Sequence, residues 1–135
     1  MITYVLDANA VLDYLYHGPC ATQVRDLLRR GEKGEARFVI SSVQLGEVVF
    51  VVTRRAGKER ALDALEALER LGVETLPLDS ERAVTAAFLR SETGLGYADA
   101  VAAAVAAFDG VLVTSDEDFQ RVGKKIKIHW LKRTE

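Results

Sequence analysis

The stretch Ile2-Thr3-Tyr4-Val5-Leu6-Asp7-Ala8-Asn9 sets the reading of the whole chain. Five β-favouring residues run without a charge and stop at an acid, the pattern of a short buried strand over 2–6. A helix over 9–16 follows almost at once, with Val11, Leu12 and Leu15 on one face and Gly18-Pro19 as its stop. Working outward, the same alternation recurs. A helix over 21–30 closes at Gly31, and a strand over 37–40 leads through the capping pair Ser41-Ser42 into an apolar helix over 43–55 that ends at Gly57. The segment 58–71 is amphipathic, with Leu62, Leu65, Leu68 and Leu71 on one stripe and Gly72 as terminator. A third strand over 74–78 contains Pro77, which places it toward an edge.

Asp79-Ser80 caps a helix reaching about Glu92, Gly94 and Gly96 mark a turn, and the alanine-rich helix over 97–108 is apolar nearly all round, hence buried. A strand over 111–114, a short helix over 115–122 and a last strand over 126–130 complete the chain. Strands alternating with helices imply a parallel sheet covered on both faces. The expected fold is therefore a three-layer α/β/α domain with about five parallel strands, occupying residues 1–135 as one unit.

Composition agrees with that class. With 135 residues the chain suits one domain, and 49% apolar against 28% charged residues is globular rather than disordered. The longest apolar run, Ala100 to Phe108, falls short of the ~20 residues that span a bilayer. The start carries no basic region and meets Asp7 at once, unlike a signal peptide. Cys20 is the only cysteine, which excludes an internal disulfide and a cysteine-rich zinc cluster. A cytoplasmic protein is expected, with no membrane partner.

Net charge is −2, so the chain as a whole is no basic nucleic-acid binder. Its charges are unevenly placed, however. From Arg121 onward six Lys and Arg face Glu135 alone, a local +5, whereas the first 120 residues carry −7. A second basic cluster is Arg54-Arg55-Ala-Gly-Lys58-Glu-Arg60. Either can touch a phosphate backbone or simply solvate a strand edge and a helix turn. Any polyanion must be held by such local patches or by a metal.

Sites on open parallel sheets form outside the carboxyl ends of the strands. Asp7 follows the first strand, Asp116 follows the fourth, Asp99 opens the alanine helix and Glu47 lies one turn into the helix after the second strand. Four acids distant in sequence thus have a route to one rim. Each also has a structural reading: Asp7 or Asn9 caps the first helix, Asp99 caps the alanine helix, and Ser115 with Asp118 has capping-box spacing. Glu47 is the hardest to dismiss, because Val43, Phe50 and Val51 flank it and no base lies at i±3 or i±4, so a half-buried carboxylate whose partner comes from elsewhere is expected. Four adjacent carboxylates repel one another, and a divalent cation resolves the repulsion. Oxygen-only ligands favour Mg²⁺ or Mn²⁺ over zinc, and His17 and His129 flank none of these acids.

Leu6-Asp7-Ala-Asn9, Ser42-Val-Gln-Leu-Gly-Glu47, Tyr97-Ala-Asp99-Ala-Val and Leu112-Val-Thr114-Ser-Asp116-Glu-Asp118-Phe119 together resemble the ordered motifs of the PIN-domain family, most closely the toxin of VapBC toxin–antitoxin pairs. The resemblance spans essentially the whole chain. It implies a Mg²⁺- or Mn²⁺-dependent ribonuclease in which Asp7, Glu47, Asp99 and Asp116 hold metal directly or through water. Asn9 and Thr114 would orient these ligands, and Asp118 matches a less constant position. It further implies in-line hydrolysis of an RNA phosphodiester to 5′-phosphate and 3′-hydroxyl ends, a homodimer or higher homo-oligomer, and silencing by a small VapB-like antitoxin, with the helices over 43–55 and 58–71 as candidate surfaces. The sequence also admits two rival readings. One is a PIN-fold module that binds RNA or protein without cutting. The other is a haloacid-dehalogenase-like phosphatase, which wants a second aspartate where this chain has Asn9 and a lysine where none lies between Lys58 and Lys124.

Overall fold

The computed structural model describes residues 1–133 and contains a five-stranded, all-parallel sheet flanked by helices. In chain order the elements are β1 (Ile2–Leu6), α1 (Ala8–Leu15), α2 (Ala21–Glu32), β2 (Ala36–Ser41), α3 (Ser42–Ala56), α4 (Lys58–Arg70), β3 (Val73–Leu76), α5 (Ser80–Thr93), α6 (Tyr97–Asp109), β4 (Val111–Thr114), a 3-10 segment (Glu117–Lys125) and β5 (Ile128–Trp130). The strands lie in the order β3-β2-β1-β4-β5. The chain therefore builds outward from β1 in one direction, then returns to its other side. That reversal falls between β1 and β4, where Leu6 pairs with Val113. The next residues on each strand path, Asp7 and Thr114, emerge side by side at the carboxyl rim, where open α/β sheets hold their sites.

The period of two along each strand sorts its side chains into two cores. Tyr4, Leu6, Phe38, Ile40 and Val113 face α1 to α4. Val5, Val39 and Leu112 face α5, α6 and the 3-10 segment. Helix α6 presents Ala100 to Ala106 as an unbroken buried run, so its small side chains let it lie close on the sheet. No described helix is long and apolar enough to cross a membrane.

Several boundaries differ from expectation, each for a local reason. Gly31 does not end α2, which continues to Glu32. A Cβ at Gly31 would stand 2.9 Å from the Phe38 ring, so this glycine serves close packing, and Gly34, at φ +73°, makes the turn. Strand β3 ends at Leu76, leaving Pro77 just beyond it; the strand is an edge by topology rather than by its proline. The expected helix over 115–122 is a 3-10 segment kinked at Gly123, and β5 accordingly starts at Ile128 rather than 126. In α4 the buried residues are Ala61, Ala64 and Leu68, whereas Leu62 points outward at 54% exposure. The shorter alanines let α4 pack closely, which shifts the buried stripe by one residue.

Among the described residues four polar or charged side chains are buried: Asp7, Ser41, Gln44 and Thr114. All four belong to the carboxyl rim, and none is left without a hydrogen-bond partner. Gln44 is the junction. Its Oε1 accepts from the Ala8 N–H at 2.6 Å and its Nε2 donates to the Ala98 carbonyl at 2.7 Å, while its own N–H donates to Ser41 Oγ. One amide thus fastens the starts of α1 and α6 to α3. Replacing Gln44 with Met, similar in length but without the amide, strands a buried N–H and removes a carbonyl's partner. A loss of about 2–4 kcal/mol is expected in urea unfolding; a loss below about 1 kcal/mol would show that the junction is energetically idle.

Candidate active site

Asp7 closes β1 and caps α1. Its Oδ1 accepts from the Ala10 N–H at 2.7 Å, and its Oδ2 accepts from Thr114 Oγ1 at 2.5 Å. The Thr114 hydroxyl oxygen in turn accepts from the Asp116 N–H at 3.0 Å, and Asp116 Oδ1 accepts from the Asp118 N–H at 2.9 Å. A single relay therefore runs from the 3-10 segment through the end of β4 to the end of β1. Capping and site membership are not alternatives for Asp7; the carboxylate has two oxygens and uses one for each.

Asp99 occupies the first turn of α6, whose cap is Gly96 with no side-chain bond. The capping role considered for Asp99 is thus absent, and its carboxylate is free for other partners. Asp116, not Ser115, caps the 3-10 segment, so the expected Ser115–Asp118 capping box does not form. Glu47 corrects another expectation. It is exposed rather than half-buried, because the flanking Phe50 is itself 62% exposed, and the buried face of α3 is Gln44, Val48 and Val52. His17 is exposed and His129 packs edge-on to Tyr4.

The acids nonetheless share one field. Burial, above all, pushes the Asp7 carboxyl up to about 7, against the lowering hydrogen bonds from Thr114 and Ala10, and the charges of Asp99 and Asp116 add to the rise. Asp99 is raised to about 6, first by burial and then by Asp116, Glu47 and Asp118. The two shifted groups between them register every acid of the set as an electrostatic neighbour. Among the described residues no three His, Cys, Asp or Glu side chains close on one point in metal-ligand geometry. The donors are all carboxylate oxygens, the set that suits a hard cation which keeps several of its waters and takes only one or two carboxylates directly. In donor chemistry, though not as a closed three-ligand site, the acids present fit Mg²⁺ or Mn²⁺.

A cavity of about 800 Å³ reaches this cluster from one side. Asn9, Tyr16, Arg55, Asp116, Asp118 and Arg133 stand in its wall, whereas Asp7, Glu47 and Asp99 lie outside it. Asn9 is exposed there and makes no side-chain hydrogen bond to the acids among the described residues; Thr114 alone bridges two of them. Gln44 is the residue missed by reading the sequence for acids. It sits one turn before Glu47, and its two amide bonds reach the residues adjacent to Asp7 and Asp99. The available signal was a lone amide within the apolar run from Val43 to Val52.

Both raised carboxyls bind protons more tightly folded than unfolded, where the ordinary value is 3.8. Their contribution to stability is thus complete below about pH 4 and is lost as pH rises through about 6 and about 7. In EDTA the Tm is expected to fall between about pH 4 and about pH 7. Asp99→Asn should flatten that fall and raise the upper-end Tm by a few degrees, about 1 kcal/mol once solvent screening of a half-buried group is allowed for. A wild-type Tm that climbs across this window would contradict the reading of the acid cluster.

The PIN domain family profile matches residues 4–125. No curated protein matches the chain significantly. Among solved structures, VapBC2 from Rickettsia felis bound to a DNA fragment from its promoter superposes with a TM-score of 0.77 at 20% identity, covering 97% of this chain and 100% of that one. DNA-bound VapBC from Salmonella typhimurium gives 0.75 at 24% identity, over 96% and 98%. The Mycobacterium tuberculosis toxin VapC20, described as cleaving the sarcin-ricin loop, gives 0.68 at 19% identity, over 89% and 95%. At these identities the likeness is one of fold. With the family profile spanning most of its length and the parallel sheet carrying its acids at the β1–β4 rim, the chain belongs to the PIN-domain family.

Proposed function

We propose that the chain, acting as one domain over residues 1–135, is a VapC-like, Mg²⁺- or Mn²⁺-dependent endoribonuclease. The observation that carries this reading is the gathering of Asp7, Glu47, Asp99 and Asp116 at one rim, where Thr114 ties Asp7 to the backbone of Asp116 and the charges of Asp116 and Glu47 add to the rise of Asp99. A binding module gains nothing from a self-repelling cluster, whereas a metal hydrolase requires one.

Asp7, Glu47, Asp99 and Asp116 would hold the ion directly or through water. When bound, the ion supplies activation of water and stabilisation of the phosphoryl transition state. The chain's own residues set the geometry for that chemistry. Thr114 holds Asp7 and the backbone of Asp116 in fixed relation, and Gln44 fixes the helix starts that carry Asp7 and Asp99. Preorganisation of this kind keeps the carboxylates from spreading under their own repulsion. Asn9 stands in the cavity wall, positioned to orient a water or a ligand there. Asp118 gives its N–H to Asp116 and stays exposed, so its part is to support Asp116.

A cytoplasmic toxin of this kind would pair with a small VapB-like antitoxin and form a homo-oligomer. Support comes from fold likeness to toxin–antitoxin complexes, an analogy at the level of fold. Exposed apolar side chains on the two candidate helices, Phe50 on α3 and Leu62 on α4, are consistent with covered surfaces.

The direct test is cleavage of a mixed single-stranded RNA pool with Mg²⁺, Mn²⁺ or EDTA, by wild type, Asp7→Asn and Asp99→Asn. Cutting is expected with either metal and not in EDTA, leaving 5′-phosphate and 3′-hydroxyl ends. Each substitution should reduce it more than ~100-fold, the scale on which loss of one preorganised electrostatic group acts. Cleavage that survives EDTA or both substitutions would sink the proposal.

A further inference from the structure

The metal reading leaves both basic clusters of the sequence without a role, yet the fold brings one arginine of each to the same place. Arg55, in the last turn of α3, and Arg133, beyond β5, both stand in the wall of the cavity that opens on Asp116. Asp13, Asp116, Glu117 and Asp118 share that wall, but among the described residues neither arginine forms an ion pair with any carboxylate. Their task is therefore not to neutralise these acids by contact. The Arg55 guanidinium lies 4.9 Å from the centroid of the Tyr16 ring, which steadies it without consuming its N–H donors. Two planar, permanently charged groups whose donors make no hydrogen bond among the described residues face a space of about 800 Å³, larger than a single phosphate needs and adequate for a short stretch of nucleotide chain.

We propose that Arg55 and Arg133 form a phosphate clamp that holds the RNA strand in this cavity, on the Asp116 side of the acid rim. The inference rests on the ribonuclease reading for the identity of the strand. It accounts for how a chain of net charge −2 can engage a polyanion without a basic surface overall. Guanidinium groups match phosphate oxygens with paired N–H donors, so two such contacts fix the register of a strand without reading its bases. The clamp would thereby set which phosphodiester lies over the acids.

The test is anisotropy of a short fluorescein-labelled single-stranded RNA in EDTA across a range of salt. It compares the Asp99→Asn chain with the same chain carrying Arg55→Ala, Arg133→Ala or Arg54→Ala. Arg54 neighbours Arg55 but lies over the Phe50 ring and outside the cavity wall, so it controls for lost charge alone. Arg55→Ala and Arg133→Ala should each weaken binding about tenfold, and each should lower the salt slope by about 0.7. Arg54→Ala should stay near its parent, and the three single arginine variants made with Asp99 intact should bind Mn²⁺ in calorimetry as tightly as wild type does. Unchanged RNA affinity in both clamp variants, or an equal loss in Arg54→Ala, would overturn the proposal. So would a loss of Mn²⁺ affinity without a loss of RNA affinity, which would make the arginines supports of the acid rim. Failure of the ribonuclease reading shows separately, as RNA left intact by wild type with Mn²⁺.

Discussion

The site depends on one buried contact, the hydroxyl of Thr114 donating to the carboxylate of Asp7 at the point where the sheet reverses direction. A carboxylate with 2% of its surface exposed is costly to keep in place. The fold offsets that cost with three bonds that all converge at the rim: the Ala10 N–H to Asp7, the Thr114 hydroxyl to Asp7, and the Asp116 N–H to Thr114. Because the last of these begins at Asp116, the constraint that fixes Asp7 also fixes a second acid. Gln44 repeats the device one layer out, linking the starts of α1 and α6. The sheet itself is apolar and needs neither arrangement for its cores. Among the described residues the buried polar side chains are confined to this rim, which sets it apart from the apolar cores.

Much of this was legible from residue order. A β-rich run stopping at Asp7, and Val111 to Thr114 stopping two residues before Asp116, lead both acids to the carboxyl rim once a parallel sheet is inferred. What local pattern does not reveal is which side of an apolar helix meets the sheet. In α3 Val43, Phe50 and Val51 surround Glu47 in sequence and suggest burial; the helix instead turns Gln44, Val48 and Val52 inward and leaves Phe50 in solvent. The same limit hides Gln44, since a polar residue in a helix reads as an outer position unless its distant partners, Ala8 and Ala98, are known. Gly31 shows the converse error. It reads as punctuation, and only the approach of Phe38 from another element reveals it as packing.

Charge tells a related story. Summed over the chain it argues against a polyanion partner, and split into clusters it is ambiguous, because lysines and arginines solvate most surfaces. Tertiary structure selects two of these groups, Arg55 and Arg133, and sets them in one wall with Asp116. Opposite charges that share a cavity without pairing to one another among the described residues suit an anionic ligand that brings its phosphates between cationic groups and the proposed metal site.

If the four carboxylates serve a divalent cation, as proposed, calorimetric titration of Mn²⁺ into the wild-type chain shows it most directly. The titration is made between about pH 6 and about pH 7, where Asp7 and Asp99 are both partly protonated, in buffers of different ionisation heat. Saturable binding with net proton release is expected, because the ion must displace the protons these carboxyls retain. Absence of saturable binding, or binding with no proton released, would contradict the account.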